Sequence, residues 1–329
     1  MLTLCGAGSV GLVIGARLAR AGESVLFVTR RAAVAERIER EGICIEDPAT
    51  GETWTARAAA CAGAAAAVDR IGEGPLLFCV RASQLEAAAE ALARVAPGAS
   101  AVCLQNDVQS EPLLARRFSR VIGGVVRQTT TRTAPNAAVA SGPGRLVLGA
   151  FPEGLTPGVE SLAGRLRAAG YDVGLSEEIL GDKWLKLCVN LMSAPNALVR
   201  RDDHRSRAFV EGKARLLEEA RAALGAAGIA ARSCDGRDRS LDEEISFQRA
   251  SLARGTSART LPLYNQVWSA LRSGGPVEAD GYHRRILELA TRFGLTAPVN
   301  ARVLAALERA AALSLGPECL GAEELLGDF

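Results

Sequence analysis

Histidine is almost missing from this chain. The 329 residues hold two, His204 and His283, and the first 203 positions hold none. Lysine is nearly as scarce: thirty-six arginines stand against Lys183, Lys186 and Lys213. A chain that has turned almost every cation into Arg is expected to keep Lys where a compact ammonium is needed, which makes these three candidates for chemistry. No C-x-x-C pair occurs among the eight cysteines, and with two histidines no metal site is expected. Cys5, Cys79, Cys103 and Cys188 fall in apolar stretches and read as small buried hydrophobes, in keeping with a reducing compartment. No run is apolar for long enough to cross a bilayer; the alanine-rich segment from Ala58 to Val68 is too short and is flanked by Arg57 and Asp69. A net charge of +2 gives no basic excess for nucleic acid or a membrane surface, so neither is expected as a partner. The first twenty residues superficially resemble a signal peptide. They lack a basic leading region, and cleavage there would remove the best motif in the chain, so a cytoplasmic location is expected.

That motif is Gly6-Ala7-Gly8-Ser9-Val10-Gly11, preceded by Leu2-Thr3-Leu4-Cys5 and followed by an apolar helical stretch from Leu12 to Ala21. Strand, G-x-G-x-x-G turn and helix in this order predict a dinucleotide site. Gly6 makes the tight turn, Gly8 lets backbone approach a pyrophosphate, and Gly11 lets helix and strand pack closely. The phosphates would meet the free N–H groups at the positive end of the helix. Ser24 to Val28 then reads as a second buried strand. An NAD site places an Asp or Glu after it for the ribose hydroxyls. This chain offers Thr29-Arg30-Arg31, and guanidinium groups bind a 2′-phosphate, so the expected cofactor is NADPH rather than NADH.

The first half alternates strand and helix. Strands are expected at Gly42–Ile45, Leu76–Val80, Ala101–Leu104, Val121–Thr133 and Leu146–Ala150, with a small hairpin returning from Asp47-Pro48-Ala49-Thr50-Gly51 through Trp54. Helices are expected over Ala32–Glu41 and Gln84–Ala96, the latter capped by Ser83. From Glu177 onward the spacing of apolar residues is helical almost throughout. The expected architecture is an α/β Rossmann domain, a doubly wound and mostly parallel sheet, over residues 1–175. An all-α domain over residues 176–329 follows, with a small-molecule substrate meeting the nicotinamide in a cleft between the two. The stretch from Gly316 to Phe329, polar with Gly and Pro, is expected either to hang free or to touch a second copy in a homodimer.

Hydride transfer to a ketone leaves negative charge on oxygen and calls for a proton donor. The lack of histidine in the first 203 residues argues against a His–Arg pair. The helical region opens instead with Lys183-Trp184-Leu185-Lys186-Leu187-Cys188-Val189-Asn190. Lys186 and Asn190, four apart, share one helix face, which Lys183 also joins. Spacing alone leaves this face open to two readings, a solvated surface or a site.

The order of blocks resembles the ketopantoate reductase (2-dehydropantoate 2-reductase) family. The matching pieces are the glycine loop, Arg30, Gln105-Asn106, the Lys-Trp-x-Lys-x-x-x-Asn block, and Glu278-Ala279-Asp280. The resemblance implies NADPH-dependent reduction of a 2-oxo acid, by default 2-dehydropantoate to pantoate, in pantothenate biosynthesis. It implies Lys186 as general acid, Asn106 beside nicotinamide and substrate, Asn190 as a substrate hydrogen-bond partner, and Glu278 holding substrate and orienting the lysine. Arg81 stands where the family carries a cofactor-binding Lys. Asp107 replaces a Gly, Ala194 an Asn, and Gln266, in Tyr264-Asn265-Gln266-Val267-Trp268, a carboxylate-binding Ser. These departures keep another oxo acid, carbonyl or imine open as substrate. A non-catalytic NADPH sensor would have no use for Lys186, Asn190 and Glu278 together. Surface or packing roles are expected for Tyr282 and His283, packing between helices for Trp184 and Trp268, and a solvated interhelical loop for Arg200 to Arg205.

Overall fold

A computed structural model of the chain describes residues 1–253 and 265–327. Two compact units emerge, Met1–Lys183 and Trp184–Phe329.

The first unit runs β1 (Leu2–Cys5), α1 (Ser9–Arg20), β2 (Val25–Thr29), α2 (Ala32–Glu41), β3 (Ile43–Asp47), β4 (Glu52–Ala56), β5 (Ala59–Ala62), β6 (Leu76–Phe78), α3 (Ala82–Val95) and β7 (Ala101–Cys103). It continues through α4 (Ser110–Ala115), β8 (Val121–Arg127), β9 (Thr130–Ala134), β10 (Ala137–Ala140), β11 (Arg145–Phe151), α5 (Pro157–Ala168), β12 (Asp172–Leu175) and the start of α6 (Ile179–Leu191). Eight strands form one sheet in the order β12-β11-β8-β7-β6-β1-β2-β5. All its pairings are parallel except β8 with β11. β1 and β2 are buried along their whole length, because a parallel sheet covered on both faces needs unbroken apolar strands. From β1 the chain builds outward to β2 and β5 on one side, and to β6, β7 and β8 on the other. The carboxyl end of β1 is therefore the point where strand order reverses, which is where such sheets hold ligands.

Three local expectations change. The extra strands do not all join the main sheet: β4, β3, β10 and β9 form a four-stranded sheet of their own. The alanine-rich β5 and β10 show little β-propensity, and burial beside their neighbours decides their state. The expected run Val121–Thr133 is two strands, β8 and β9, in different sheets. Ser83 caps nothing, because α3 starts one residue before it with Arg81 at the N-cap position. A better signal, Thr156-Pro157, starts α5, with Thr156 Oγ1 accepting from the Val159 amide.

The second unit continues α6 and adds α7 (Ser193–Leu198), α8 (Arg207–Ala226), α9 (Leu241–Ala253), α10 (Gln266–Ser273), α11 (Ala279–Arg292), α12 (Pro298–Ala312) and α13 (Ala322–Leu326). A buried polar network joins three of them. Glu219 of α8 accepts from the amides of Val299 and Asn300, Asn300 Nδ2 donates to the Leu216 carbonyl and to Glu219, and Asn300 Oδ1 lies 2.9 Å from His283 Nδ1. His283 is fully buried, so of the two expected roles it takes packing and not the surface.

The run from Arg200 to Arg205 is more ordered than a solvated loop: residues 201–205 form a 3₁₀ turn, and His204 stacks on Phe209 at 4.2 Å. The tail does not hang free through Gly327. Its backbone bonds to that of Ala197, Leu198 and Arg200, and Leu325 and Leu326 are buried. A Cβ at Gly212 would lie 2.5 Å from Leu326, so α8 has glycine where the tail lies against it. The apolar residues of α13 bury against α8, which outweighs the ordering cost of a polar, Gly-containing segment.

Candidate active site

The glycine loop has a separate physical reason at each of its two tight positions. Gly6 sits at φ +103°, a region L side chains avoid, and a Cβ there would lie 2.8 Å from Val80 Cγ1. At Gly11 a Cβ would come within 2.4 Å of the Gly6 carbonyl oxygen and 3.0 Å of Cys79 Cβ. Gly8 is the N-cap of α1 in extended conformation and offers no side chain to the helix start. The first-turn amides that follow Gly8 have no acceptor within the helix, so the loop can hold an anionic group. Ala7 and Val10 pack on the core beneath, and Ser9 Oγ lies 3.0 Å from Thr130 Oγ1. These residues fit a dinucleotide's pyrophosphate.

Beyond β2, Thr29 is buried with its hydroxyl on the Arg31 carbonyl, while Arg30 and Arg31 are exposed. Arg81, just past β6, is exposed at the start of α3. Asn106 is half-buried just past β7. Asp107 is occupied locally: Oδ1 accepts from the amides of Gln109 and Ser110, and Oδ2 from Ser110 Oγ. Its carboxylate thus caps the turn into α4. All the residues nominated in the first unit gather beyond the carboxyl ends of four adjacent parallel strands, β7, β6, β1 and β2.

Two residues of this region carry roles that the sequence reading did not assign. Gln105 is buried, and its Nε2 donates to the carbonyls of Phe78 (2.9 Å) and Val80 (2.8 Å). It clasps the end of β6, the backbone that walls Gly6. Only its place beside Asn106 hinted at this. Glu111 of α4 is completely buried, and no sequence signal marks it, since a Glu in a helix first turn reads as solvent-facing. It pairs with Lys183, whose Nζ also lies 3.4 Å from Cys103 Sγ.

Lys183 is accordingly no part of an open polar face. Burial works against its charge, and the carboxylates of Glu111 and Asp107 more than offset it, so the ammonium is held. Burial raises Glu111 above the usual carboxylate range. The Cys103 thiol is pushed well up by the same burial. Two further ties seat the start of α6. Ser176 Oγ donates to Asp182 Oδ2 at 2.7 Å, and Ile179 fills the space left by Gly123 and Gly149.

Further along α6, Lys186 and Asn190 are half-buried one turn apart, while Leu185, Leu187 and Cys188 are buried. Glu278, half-buried, stands at the N-cap of α11 on a different helix of the second unit. Trp184 is buried, with the Arg285 guanidinium 5.9 Å from its ring, and Trp268 Nε1 donates to Glu318. Of the departures from the family pattern, Ala194 is wholly buried and Gln266 is exposed on the first turn of α10. Asn265 caps that helix through the Trp268 amide and donates to the Ser193 carbonyl. Tyr264 lies outside the described residues.

Residues 2–153 match the family described as ketopantoate reductase PanE/ApbA. The 2-dehydropantoate 2-reductase of Pyrococcus horikoshii is 24% identical over 307 residues, 90% of this chain and 93% of that one. The Halobacterium salinarum protein of the same name is 25% identical, over 93% of this chain and 97% of its own. Among solved structures, a PanE/ApbA family ketopantoate reductase from Ralstonia eutropha JMP134 superposes with a TM-score of 0.79 at 25% identity, over 96% and 100% of the two chains. A D-mandelate dehydrogenase, solved with NADH and anilino(oxo)acetate, shares the fold at 16% identity with a TM-score of 0.78, over 96% and 100%. Residues 2–153 thus match the ketopantoate reductase family domain, and similarity to proteins named 2-dehydropantoate 2-reductase runs on through nine-tenths of the chain.

Proposed function

We propose that the protein reduces a 2-oxo acid with NADPH, with 2-dehydropantoate as the default substrate and Lys186 as the general acid. The observation that carries the reading is a half-buried ammonium one helical turn from a half-buried carboxamide, Lys186 and Asn190, on a helix where Leu185, Leu187 and Cys188 are buried.

The residues that would hold NADPH are the glycine loop Gly6 to Gly11, Arg30 at the 2′-phosphate, Arg81 and Asn106. When bound, NADPH supplies the hydride. Every remaining demand falls on side chains. Negative charge growing on the substrate oxygen needs a proton, and the Lys186 ammonium gives one and is left as the neutral amine. Asn190 donates a hydrogen bond that orients the substrate, and Glu278 holds both substrate and lysine. Asn106 sits at the nicotinamide edge of the same reaction. The substrate carboxylate and the cationic lysine are complementary in charge.

Two observations favour a second substrate reading within this chemistry. The buried Ala194 offers no hydrogen bond where the family has Asn, and the exposed Gln266 replaces a carboxylate-binding Ser. Another oxo acid, carbonyl or imine is the alternative.

The test is turnover of NADPH with a panel of 2-oxo acids and imines, using the parent protein and Lys186→Ala. Rate should fall by roughly 10²–10⁴ in the variant, with NADPH affinity unchanged. Full activity in Lys186→Ala would overturn the assignment. NADPH binding without turnover of any carbonyl compound would favour a sensor instead.

A further inference from the structure

We propose that the buried Glu111–Lys183 pair is a positioning device: it sets the rotational phase at which α6 leaves the first unit, and with it the direction of Lys186. The inference rests on the reading of Lys186 as general acid. Neither Glu111 nor Lys183 is a catalytic residue in it.

Both partners are almost wholly inside the protein, Lys183 at 2% and Glu111 at 0% exposure. Stability alone gives a poor account of such a pair. Removing two charges from water is costly, and whole buried pairs replaced by apolar side chains are often neutral or more stable. An ion pair does supply direction, which an apolar contact does not. The Lys183 ammonium has its place defined by Glu111 on α4 and by Cys103 Sγ at the last residue of β7. Cys103 in turn lies 3.1 Å from Gln105 Oε1, and Gln105 clasps the backbone at Phe78 and Val80. One chain of polar contacts thus runs from the wall of the glycine loop to Lys183 of α6. It passes beside Asn106, the residue proposed at the nicotinamide.

Lys186 lies three residues beyond Lys183 in the same helix, a rise of about 4.5 Å and somewhat less than one turn. Rotating the first turn of α6 by one residue's step would swing Lys186 through about 100°. Ile179 and the Ser176–Asp182 bond fix how deeply the helix start is seated. Lys183, the last of these anchors before Lys186, fixes the turn about the helix axis. A chain that keeps only three lysines has spent one of them here.

The experiment compares the parent with the paired apolar variant Glu111→Met/Lys183→Met and with Lys183→Arg, which keeps the charge but carries a longer, planar head. Thermal unfolding checks the fold, fluorescence titration gives the NADPH Kd, and steady-state kinetics give kcat and KM. Positioning predicts kcat down by roughly tenfold or more in both variants, with Kd for NADPH within about twofold of the parent. A folded variant of either kind whose kcat stays within about twofold overturns the proposal. Should the paired variant not fold, Lys183→Arg decides alone. Should the parent turn over no substrate in the panel, the functional reading fails, and the labelling rate of the Lys186 amine by an acylating reagent, followed by mass spectrometry, decides the positioning. A change of about threefold or more between parent and variant supports it, and an unchanged rate overturns it.

Discussion

His283 gives the sharpest test of how the helical unit is held together. Asn300 Nδ2 is committed to Leu216 and Glu219, so Asn300 Oδ1 acts as acceptor and His283 Nδ1 carries the proton. Nε2 is then a bare acceptor, buried without a hydrogen-bond partner among the described residues. Protonating it would place a charged N–H where nothing receives it. Burial accordingly pulls the pKa from the ordinary 6.5 down to about 4, against the opposing pull of the Asn300 bond. A depressed folded-state pKa means that the unfolded chain binds the proton first on acidification. Stability is therefore complete above pH 6.5 and is lost progressively as pH falls toward 4. Between pH 7.5 and pH 4.5 the loss from this one residue works out at about 2.5 kcal/mol, at 1.36 kcal/mol per pKa unit. Urea unfolding followed by far-UV circular dichroism at both pH values measures it. His283→Asn keeps a donor for Asn300 and removes the titration, at the cost of a small cavity at neutral pH. The parent should lose about 2.5 kcal/mol more than the variant across the same interval. Equal losses would mean that the imidazole is not held neutral by burial, and the argument fails.

Other expectations follow from distances at the nucleotide end. Gly11→Ala puts a methyl group 2.4 Å from the Gly6 carbonyl oxygen, so the loop must shift; NADPH affinity should fall by about tenfold or more, read by fluorescence titration. Gln105→Leu strips the buried Phe78 carbonyl and the half-buried Val80 carbonyl of their amide donor and should destabilise the protein by about 1–3 kcal/mol in denaturant unfolding. Arg30→Ala with Arg31→Ala should weaken NADPH binding while leaving NADH binding nearly unchanged, and equal losses for both cofactors would remove the 2′-phosphate assignment.

The amino-acid sequence alone carried the glycine loop, the buried parallel strands and the helical second half. Each is written in local order: three glycines at set spacing, unbroken apolar runs where both sheet faces are covered, and apolar residues recurring every three or four positions. The Lys186–Asn190 pair was legible for the same reason, since four residues are one helical turn. What the sequence could not tell was which polar side chains turn inward. Glu111 and Lys183 are 72 positions apart and look like surface charges until α4 and α6 are brought side by side. Gln105 reaches back 27 residues to Phe78, and the tail from Gly316 to Gly327 is ordered by a backbone bridge to Val199 that its composition argues against. Alanine-rich β5 and β10 became strands because neighbours supplied the hydrogen bonds and the burial. Periodicity records what a segment wants from its own turn or pleat, whereas pairing, desolvation and close approach depend on partners far along the chain. Those were decided only when the chain folded.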